Sequence, residues 1–551
     1  MRKANKLMLA AVLAVALPTG ALAAEPDLQV KIDTLTKQME ALKGQVERME
    51  SKSIGKWLKI GGSYQFRVDS LRGETVGYTD AMGTFSNAAD AMMLAGWTNY
   101  VALGTFQQGM IGSTTLSAAQ TFLMDPTNQA LMMGLGGFAE MVPSYKPKNE
   151  TLYTNKFNLD LKAQATKDVT VNVKLGMYKV FGSQNDDAIT SNAFFADRAG
   201  VFDGTLGHTP SDSKLNVDRA YATWSNILEQ PLWFSVGRRP ATDGAPLNLK
   251  LNTDRPGNGG TPALLVNYAF DGMTVGYAPD IDALPGFYAK VCYGRGFDSG
   301  FKTATNSLKD TDMLGVAVIP VDTDPLRVWL QWNRGFNIFD FPVMENTAFG
   351  DTAPSTNLGS IDWYGIGAMS TLKKVGPGDL NFFVDGGLSR TNPNNNVSGQ
   401  AMFQGLLTGS PFQPDFNPDS KTGYAVYAGV RYDLPSKTKL GFEYNYGSKN
   451  WITFSPAADD MWTSKVGTRG HVFEPYIIQE LDLKPVSSYF AKAFFRLGYQ
   501  YYDFNYTGSN NWVGAPIDVD DLAAYQAAGG MLLQAPVKKA QNIYGTFEVQ
   551  F

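Results

Sequence analysis

The chain ends on "NIYGTFEVQF", residues 542–551, where strict alternation puts Ile543, Gly545, Phe547, Val549 and Phe551 on one side. A flat apolar strand left at a sheet edge is a template for aggregation, so something must cover it or the sheet must close on itself. Closure satisfies both ends at once. Pairing the last strand with the first leaves no edge and turns the Phe551 row outward.

The other terminus narrows the choice. "MRKANKLMLAAVLAVALPTGALA" carries Arg2, Lys3 and Lys6, then an apolar run from Leu7 to Leu17, then Ala21-Leu22-Ala23. This is the pattern of a secretory signal peptide, residues 1–23, with cleavage expected after Ala23; the run is short for a retained membrane anchor. Cleavage removes three basic residues and no acidic ones, which takes the formal charge from −5 to −8. An acidic exported chain is a poor nucleic-acid binder. One cysteine, Cys292, permits no internal disulfide and no paired haem attachment, and two histidines leave little for a His-built metal or catalytic centre.

Beyond the leader no apolar run approaches the roughly 18 residues of a helical span. Yet the chain holds 56 glycines and 12% aromatics. That combination suits a barrel, in which lipid-facing and lumen-facing residues alternate and the mean hydropathy cancels.

From Leu28 a heptad pattern runs through Leu28, Ile32, Leu35, Met39, Leu42, Val46 and Met49, with charged residues at flanking positions. Residues 24–53 are therefore expected to form a periplasmic coiled coil that joins copies of the chain, the alternative being a helix packed on its own barrel. After "SIGKW" the period becomes 2. "FNLDLKAQA" (157–165), "VTVNVKLGM" (169–177) and "AKAFFRLGYQYY" (491–502) each carry apolar residues on one side and polar residues on the other. The second face supplies the candidate lumen residues Asp160, Lys162, Lys492 and Arg496.

Connections alternate in length, as the short periplasmic turns and long external loops of outer-membrane barrels do. "TKD", "NILEQP", "DTDP", "KVGPGD" and "LPSKTK" are short, while 73–150, 183–213, 336–357, 392–420 and 449–469 are long. The alternation fails between Arg238 and Val275, where "ALLVNYAF" and "MTVGY" read as two strands turning at Asp271-Gly272. Counting "LNLKLN" as a further strand restores it. The expectation for 57–551 is an all-β transmembrane antiparallel barrel of about 18 strands, or 16 if 240–261 is an infolded loop.

The segments "KLNVDRAYATWSN", "LWFSVGRRPATDGAPLNL", "YAFDGMTVGY", "VCYGRGFDSGF" and "LPSKTKLGFEYNYGSKNW", together with the heptad prefix, resemble an uncharacterised porin-like family of delta-proteobacterial outer-membrane proteins, a domain of unknown function. The resemblance implies a barrel in the Gram-negative outer membrane, and the family carries no established substrate. "SVGRRP" followed by a loop is also similar to general diffusion porins, in which a loop folds into the pore.

The stretch "GRRPATDGAPLNLKLNTDRPGNGG" is the candidate constriction: Arg238, Arg239, Asp243, Lys250, Asp254 and Arg255 lie among Pro and Gly that fix tight backbone. Neighbouring strand residues face opposite ways, so both arginines reach the lumen only if the strand has already ended. The alternative is that they brace the loop against wall carboxylates such as Asp218.

Residues 73–150 hold Met82, Met92, Met93, Met110, Met124, Met132, Met133 and Met141. Thioethers can ligate Cu(I), but their spacing forms no repeated motif, and an apolar cap or plug over the pore is the expectation. Cys292 reads as a small packed residue.

Neither His208 nor His471 has a hydrolase pattern around it. No catalytic, cofactor or metal site is expected. The functional expectation is a passive, homotrimeric porin for small polar or charged solutes, not an enzyme. It would contact outer-membrane lipid and present the Phe551 strand to the barrel-assembly machinery. A barrel sheath around multihaem cytochromes is the alternative, and a barrel-embedded hydrolase a third.

Overall fold

The computed structural model describes residues 36–40, 57–182, 208, 214–257, 262–301, 308–340, 344–347, 350–352, 355–413, 416–456, 459–483 and 492–551. The signal peptide and most of the heptad segment lie outside these residues. Of the heptad positions only Met39 is described, exposed on a helical stretch at 36–40.

One antiparallel sheet closes into a barrel in which each strand pairs with its sequence neighbours and the first pairs with the last. The strands are β1 (Leu58–Thr75), β2 (Lys148–Gln164), β3 (Val169–Val180), β4 (Asn216–Trp224), β5 (Leu232–Ala241), β6 (Tyr268–Tyr277), β7 (Tyr288–Phe297) and β8 (Thr311–Asp322). The second half comprises β9 (Leu326–Phe339), β10 (Asn357–Val375), β11 (Gly378–Pro393), β12 (Thr422–Asp433), β13 (Thr438–Gly447), β14 (Gly470–Glu480), β15 (Lys492–Phe504) and β16 (Val537–Gln550). In β1–β16 closure, Ser63 faces Gln550 and Phe66 faces Phe547, and Phe551 N–H donates to Gly62 O at 3.0 Å.

The strand number is therefore sixteen, and two expected strands are corrected. "LNLKLN" is a run of turns inside the barrel, and "ALLVNYAF" is mostly loop, with β6 beginning at Tyr268. Asp271-Gly272 is not a turn; β6 runs straight through it. Gly272 sits there because a Cβ would lie 2.0 Å from Tyr293 O on the neighbouring strand, and Asp271 is engaged by Arg238 across the ladder.

The two faces differ as the alternation requires. Val275, Val291, Ile366, Val384, Leu497 and Ile543 are exposed outward, and Trp224, Tyr277 and Tyr424 stand near the strand ends. An outward apolar band edged by aromatics is the surface a bilayer demands. No described helix is long and apolar enough to cross a membrane.

Inside, charged and polar side chains from the same strands are almost fully buried, among them Asp69, Glu443, Glu474, Gln500 and Asn542. What buries them is the chain itself, because the loops at 242–267 (loop 3) and 448–469 (loop 7) fold into the barrel.

Glycine on the inner face makes room for this filling. Gly276, Gly367, Gly441 and Gly498 lie directly opposite Trp233, Trp329, Tyr476 and Tyr544 on adjacent strands, whose rings occupy the space a Cβ would take. Other wall glycines receive loop side chains: Gly365 takes Leu265 of loop 3, while Gly387 and Gly73 take Trp451 and Trp462 of loop 7.

Loop 1 (76–147) carries four helices: α1 (Ala81–Ala95), α2 (Trp97–Gly112), α3 (Leu116–Met124) and α4 (Pro126–Leu135). Their starts follow local rules, with side-chain caps from Asp80, Thr115 and Asp125 and Pro126 in the first turn of α4. Leu103, Phe106, Phe122 and Leu135 pack with Val397 and Phe403 of the 394–421 loop (loop 6) into one apolar cluster. The methionines of this segment pack around that cluster or stand exposed on the helices.

Gly441→Val places a Cβ 2.1 Å from Tyr476 Cζ, with two further methyl groups to fit. It is expected to cost about 1–3 kcal/mol by overpacking, read as earlier loss of the compact, heat-modifiable species on gel electrophoresis; an unchanged transition would contradict the packing described.

Candidate functional site: a charged lumen crossed by loop 3

Loop 3 leaves the end of β5 and reaches the opposite wall. Arg431 of β12 donates to Leu249 O at 2.5 Å, and Lys439 of β13 to Asn252 Oδ1 at 2.6 Å. Lys250 Nζ lies 2.6 Å from Glu474 of β14. Lys492 of β15 donates to Asn252 O at 3.1 Å, Arg496 of the same strand to Lys250 O, and Gln550 of β16 to Leu251 O at 3.2 Å. Four residues of loop thus satisfy five consecutive strands. The returning half bonds to loop 7, with Asn267 N–H donating to Phe454 O and Ser455 Oγ to Ala263 O.

Loop 7 supplies the second set of charges. Lys465 bridges Glu443 and Glu474, and Gln500 donates to Asp460 Oδ1 at 2.7 Å. Tyr544 stands at the centre: its hydroxyl donates to Glu474 at 2.8 Å, and Arg67, Lys250 and Arg496 lie 4.6, 5.5 and 5.9 Å from its ring centroid. Three cations gather around one aromatic ring whose hydroxyl is on a carboxylate, where loop 3 meets the far wall.

A third group, a loop latch, ties His208 and loops 3 and 7 to the β2–β4 wall. Asp459 accepts from Lys156 at 2.8 Å, His208 Nε2 lies 3.1 Å from Asp218, and Arg219 joins Asp218 to Asp243. His208 Nδ1 is 3.4 Å from Lys156 Nζ and 3.6 Å from Asp459. Burial and then Lys156 disfavour the charged ring, but Asp218 and Asp459 outweigh them and raise the pKa of His208 above its ordinary value. Burial pushes the Asp459 carboxyl up, while Lys156 and His208 prevail and hold it far below the usual carboxylate range.

The sequence-derived constriction residues are dispersed rather than gathered. Lys250 is beside Tyr544, and Asp243 is in the loop latch. Arg239 lies on the near wall, donating to Ser235 at 2.9 Å and to Thr274. Asp254 and Arg255 are largely exposed, and Arg255 pairs with Asp324 in the short β8–β9 turn. Arg238 corrects the expectation outright: it shares the outward side with Val236 and Met273 and pairs there with Asp271 at 3.1 Å. Strand alternation continues through Gly237 and separates the two arginines.

Of the lumen candidates, Arg496 pairs with Glu548 and Lys492 with Asp254. Asp160 and Lys162 open onto a cavity of about 400 Å³ shared with Lys59, Lys174 and Arg219. A second cavity of about 310 Å³ runs from Asp160 towards Asp243, Asp459 and Glu548. Together they form a charged vestibule at the short-turn end. The sequence marks 449–469 as a long connection but not as a filling of the lumen; the signal for that was the pair of tryptophans, Trp451 and Trp462, in a loop otherwise rich in Ser, Thr and Asp. Among the described residues no cluster of His, Cys, Asp or Glu could hold a metal ion.

A closed sheet with an apolar exterior and a charged, loop-filled interior defines a porin-like outer-membrane β-barrel. The chain belongs to the family described as protein of unknown function DUF3373, whose model matches residues 146–551. No curated protein matches it. Among solved structures it is similar to Pseudomonas putida OprB, with 10% identity over 91% of this chain and 96% of that one at a TM-score of 0.42. The anion-selective porin of Comamonas acidovorans is 10% identical over 90% and 99%, with a TM-score of 0.38. A trimer form of Vibrio cholerae OmpT is 12% identical over 90% and 100%, with a TM-score of 0.35.

Replacing Lys465 by Met strands Glu443 and Glu474 without their shared cation and is expected to destabilise the fold by about 3–5 kcal/mol, measured by denaturant unfolding in detergent. A second outcome concerns pH. The raised pKa of His208 stabilises in full below about 6.5 and fades as pH climbs through its higher folded value. Asp459, depressed, stabilises above about 3.9 and fades as pH falls below that. The loop latch is therefore tightest between about pH 4 and 6.5. The gap in unfolding temperature between wild type and His208→Ala should shrink from pH 6 towards pH 9, and a pH-independent gap would contradict this linkage.

Proposed function

We propose that the protein is an outer-membrane porin through which small polar or charged solutes diffuse passively, from the charged vestibule past a narrow zone between loop 3 and the β12–β16 wall. The observation that carries this reading is the anchoring of residues 249–252 to five strands across the barrel, with Lys250 at the cations around Tyr544. Loops that fix a width and line it with paired charges select by size and field.

The same filling disfavours a sheath for a cytochrome, because the chain's own loops occupy the interior. It also leaves little for a hydrolase: His208 lies between two aspartates and a lysine, and His471 sits beside Tyr444 at the outer rim. The heptads at 24–53 are proposed to join three copies in the periplasm, and the Phe551 strand to be what the assembly machinery binds.

Planar-bilayer recording of the purified protein tests the reading. Discrete ohmic steps are expected, with reversal potential under a salt gradient moving towards cation preference in Lys250→Ala, since a fixed positive charge leaves the narrow zone. Arg238→Ala should leave selectivity unchanged. A correctly folded barrel that stays silent, in wild type and in a variant lacking 244–256 alike, would sink the proposal.

A further inference from the structure

At the long-loop end, well away from the charged lumen, a cavity of about 600 Å³ lies between the loop 1 helices, loop 6 and the 505–536 loop (loop 8). That volume falls in the range of small-molecule sites. Its walls are Phe106, Phe122, Leu135, Met132, Met402 and Phe412, with further apolar residues and, among the described residues, no formally charged side chain. The polar side chains that reach it are already engaged within the protein. Thr84 donates to Asp80 O at 2.6 Å, Thr79 contacts Met141 Sδ at 3.2 Å, and Gln526 Nε2 donates to Gly77 O at 2.8 Å.

Water is held in a cavity by two to four polar partners, and this lining offers few, so the space favours an apolar occupant. It also has an entrance: Met133 and Met141 line the cavity and are themselves 76% and 60% exposed. Leu94, Trp97 and Met124 are also exposed on the loop 1 helices. Flexible thioethers beside aromatic rings suit an occupant of variable shape.

We propose that this cavity binds an uncharged apolar small molecule, an aromatic or aliphatic hydrocarbon body taken from outside the cell or from the outer leaflet. The proposal is independent of conduction, because the charged zone below would reject such a molecule; it would be held at the surface rather than passed. Binding would brace α3 and α4 against loop 6, since Phe122, Leu135 and Phe403 both line the cavity and belong to one packed cluster.

The test is photolabelling of the full-length protein in lipid nanodiscs with an uncharged aryl diazirine, mapped by peptide mass spectrometry, with naphthalene as competitor. Labelling at residues 122–141 and 402–412 should saturate, fall when naphthalene is added, and weaken by about tenfold or more in Met133→Glu, which sets a charge at the mouth of an apolar site. Met133 is exposed, so that variant keeps its fold; Met132→Trp, which fills the space, is the second check. An acyl lipid extracted from wild type but not from Met133→Glu would identify the membrane as the source. Wild type that purifies without lipid and labels saturably would identify a free solute. Labelling confined to the lipid-facing strands, or equal in both variants and wild type, would overturn the proposal. Neither result depends on conductance.

Discussion

The rest of the molecule depends on one pairing, that of β1 with β16. A strand in a bilayer has no water to satisfy its backbone, so every N–H and C=O on its free edge is a liability of several kcal/mol, and only a closed sheet removes the edge. The register from Ser63–Gln550 to Thr75–Val537 does this over nearly the whole length of both strands. It also fixes which side chains of β16 point inward. Tyr544 and Glu548 reach the lumen because Ile543 and Phe547 face lipid, and the three cations about Tyr544 assemble on that account.

Inside the wall, charge is kept by pairing rather than by hydration. Burying Lys465 between two glutamates would be costly for any one of them alone, and each is tolerable because the others are present. Loops 3 and 7 bring the cations Lys250 and Lys465 to a wall whose strands supply Glu443, Glu474 and Glu548. The polarity is reversed in the group around His208, where the strands give the cations Lys156 and Arg219 and the loops give the carboxylates Asp459 and Asp243.

Much of this was legible in the sequence. The outward row ending at Phe551 follows from period-2 patterning, which a lipid–water wall enforces, and the alternation of short and long connections follows from crossing that wall and returning. The miscount came from 240–270. In "LNLKLN" Leu249 and Asn252 are both buried, because a segment inside a lumen is covered on every side and mimics a strand's alternation without a sheet. Asp271-Gly272 carries the chemistry of a turn but serves a close strand approach. Which arginine faces inward followed from alternation once the strand was known to continue through Gly237. The far partners of residues 249–252 lie 182 to 299 residues away, and no local pattern could show them.

The glycine recesses have a consequence for biogenesis. Loop 3 seats against β10 and β12–β16, and Trp462 of loop 7 seats against Gly73 of β1. These surfaces come together only when the sheet has closed, since they belong to opposite ends of the chain. Long-range contacts of this kind form late. The newly inserted barrel is therefore expected to be hollow before it is filled, and each molecule to pass through a brief leaky stage whose length is set by how fast loops 3 and 7 find their recesses.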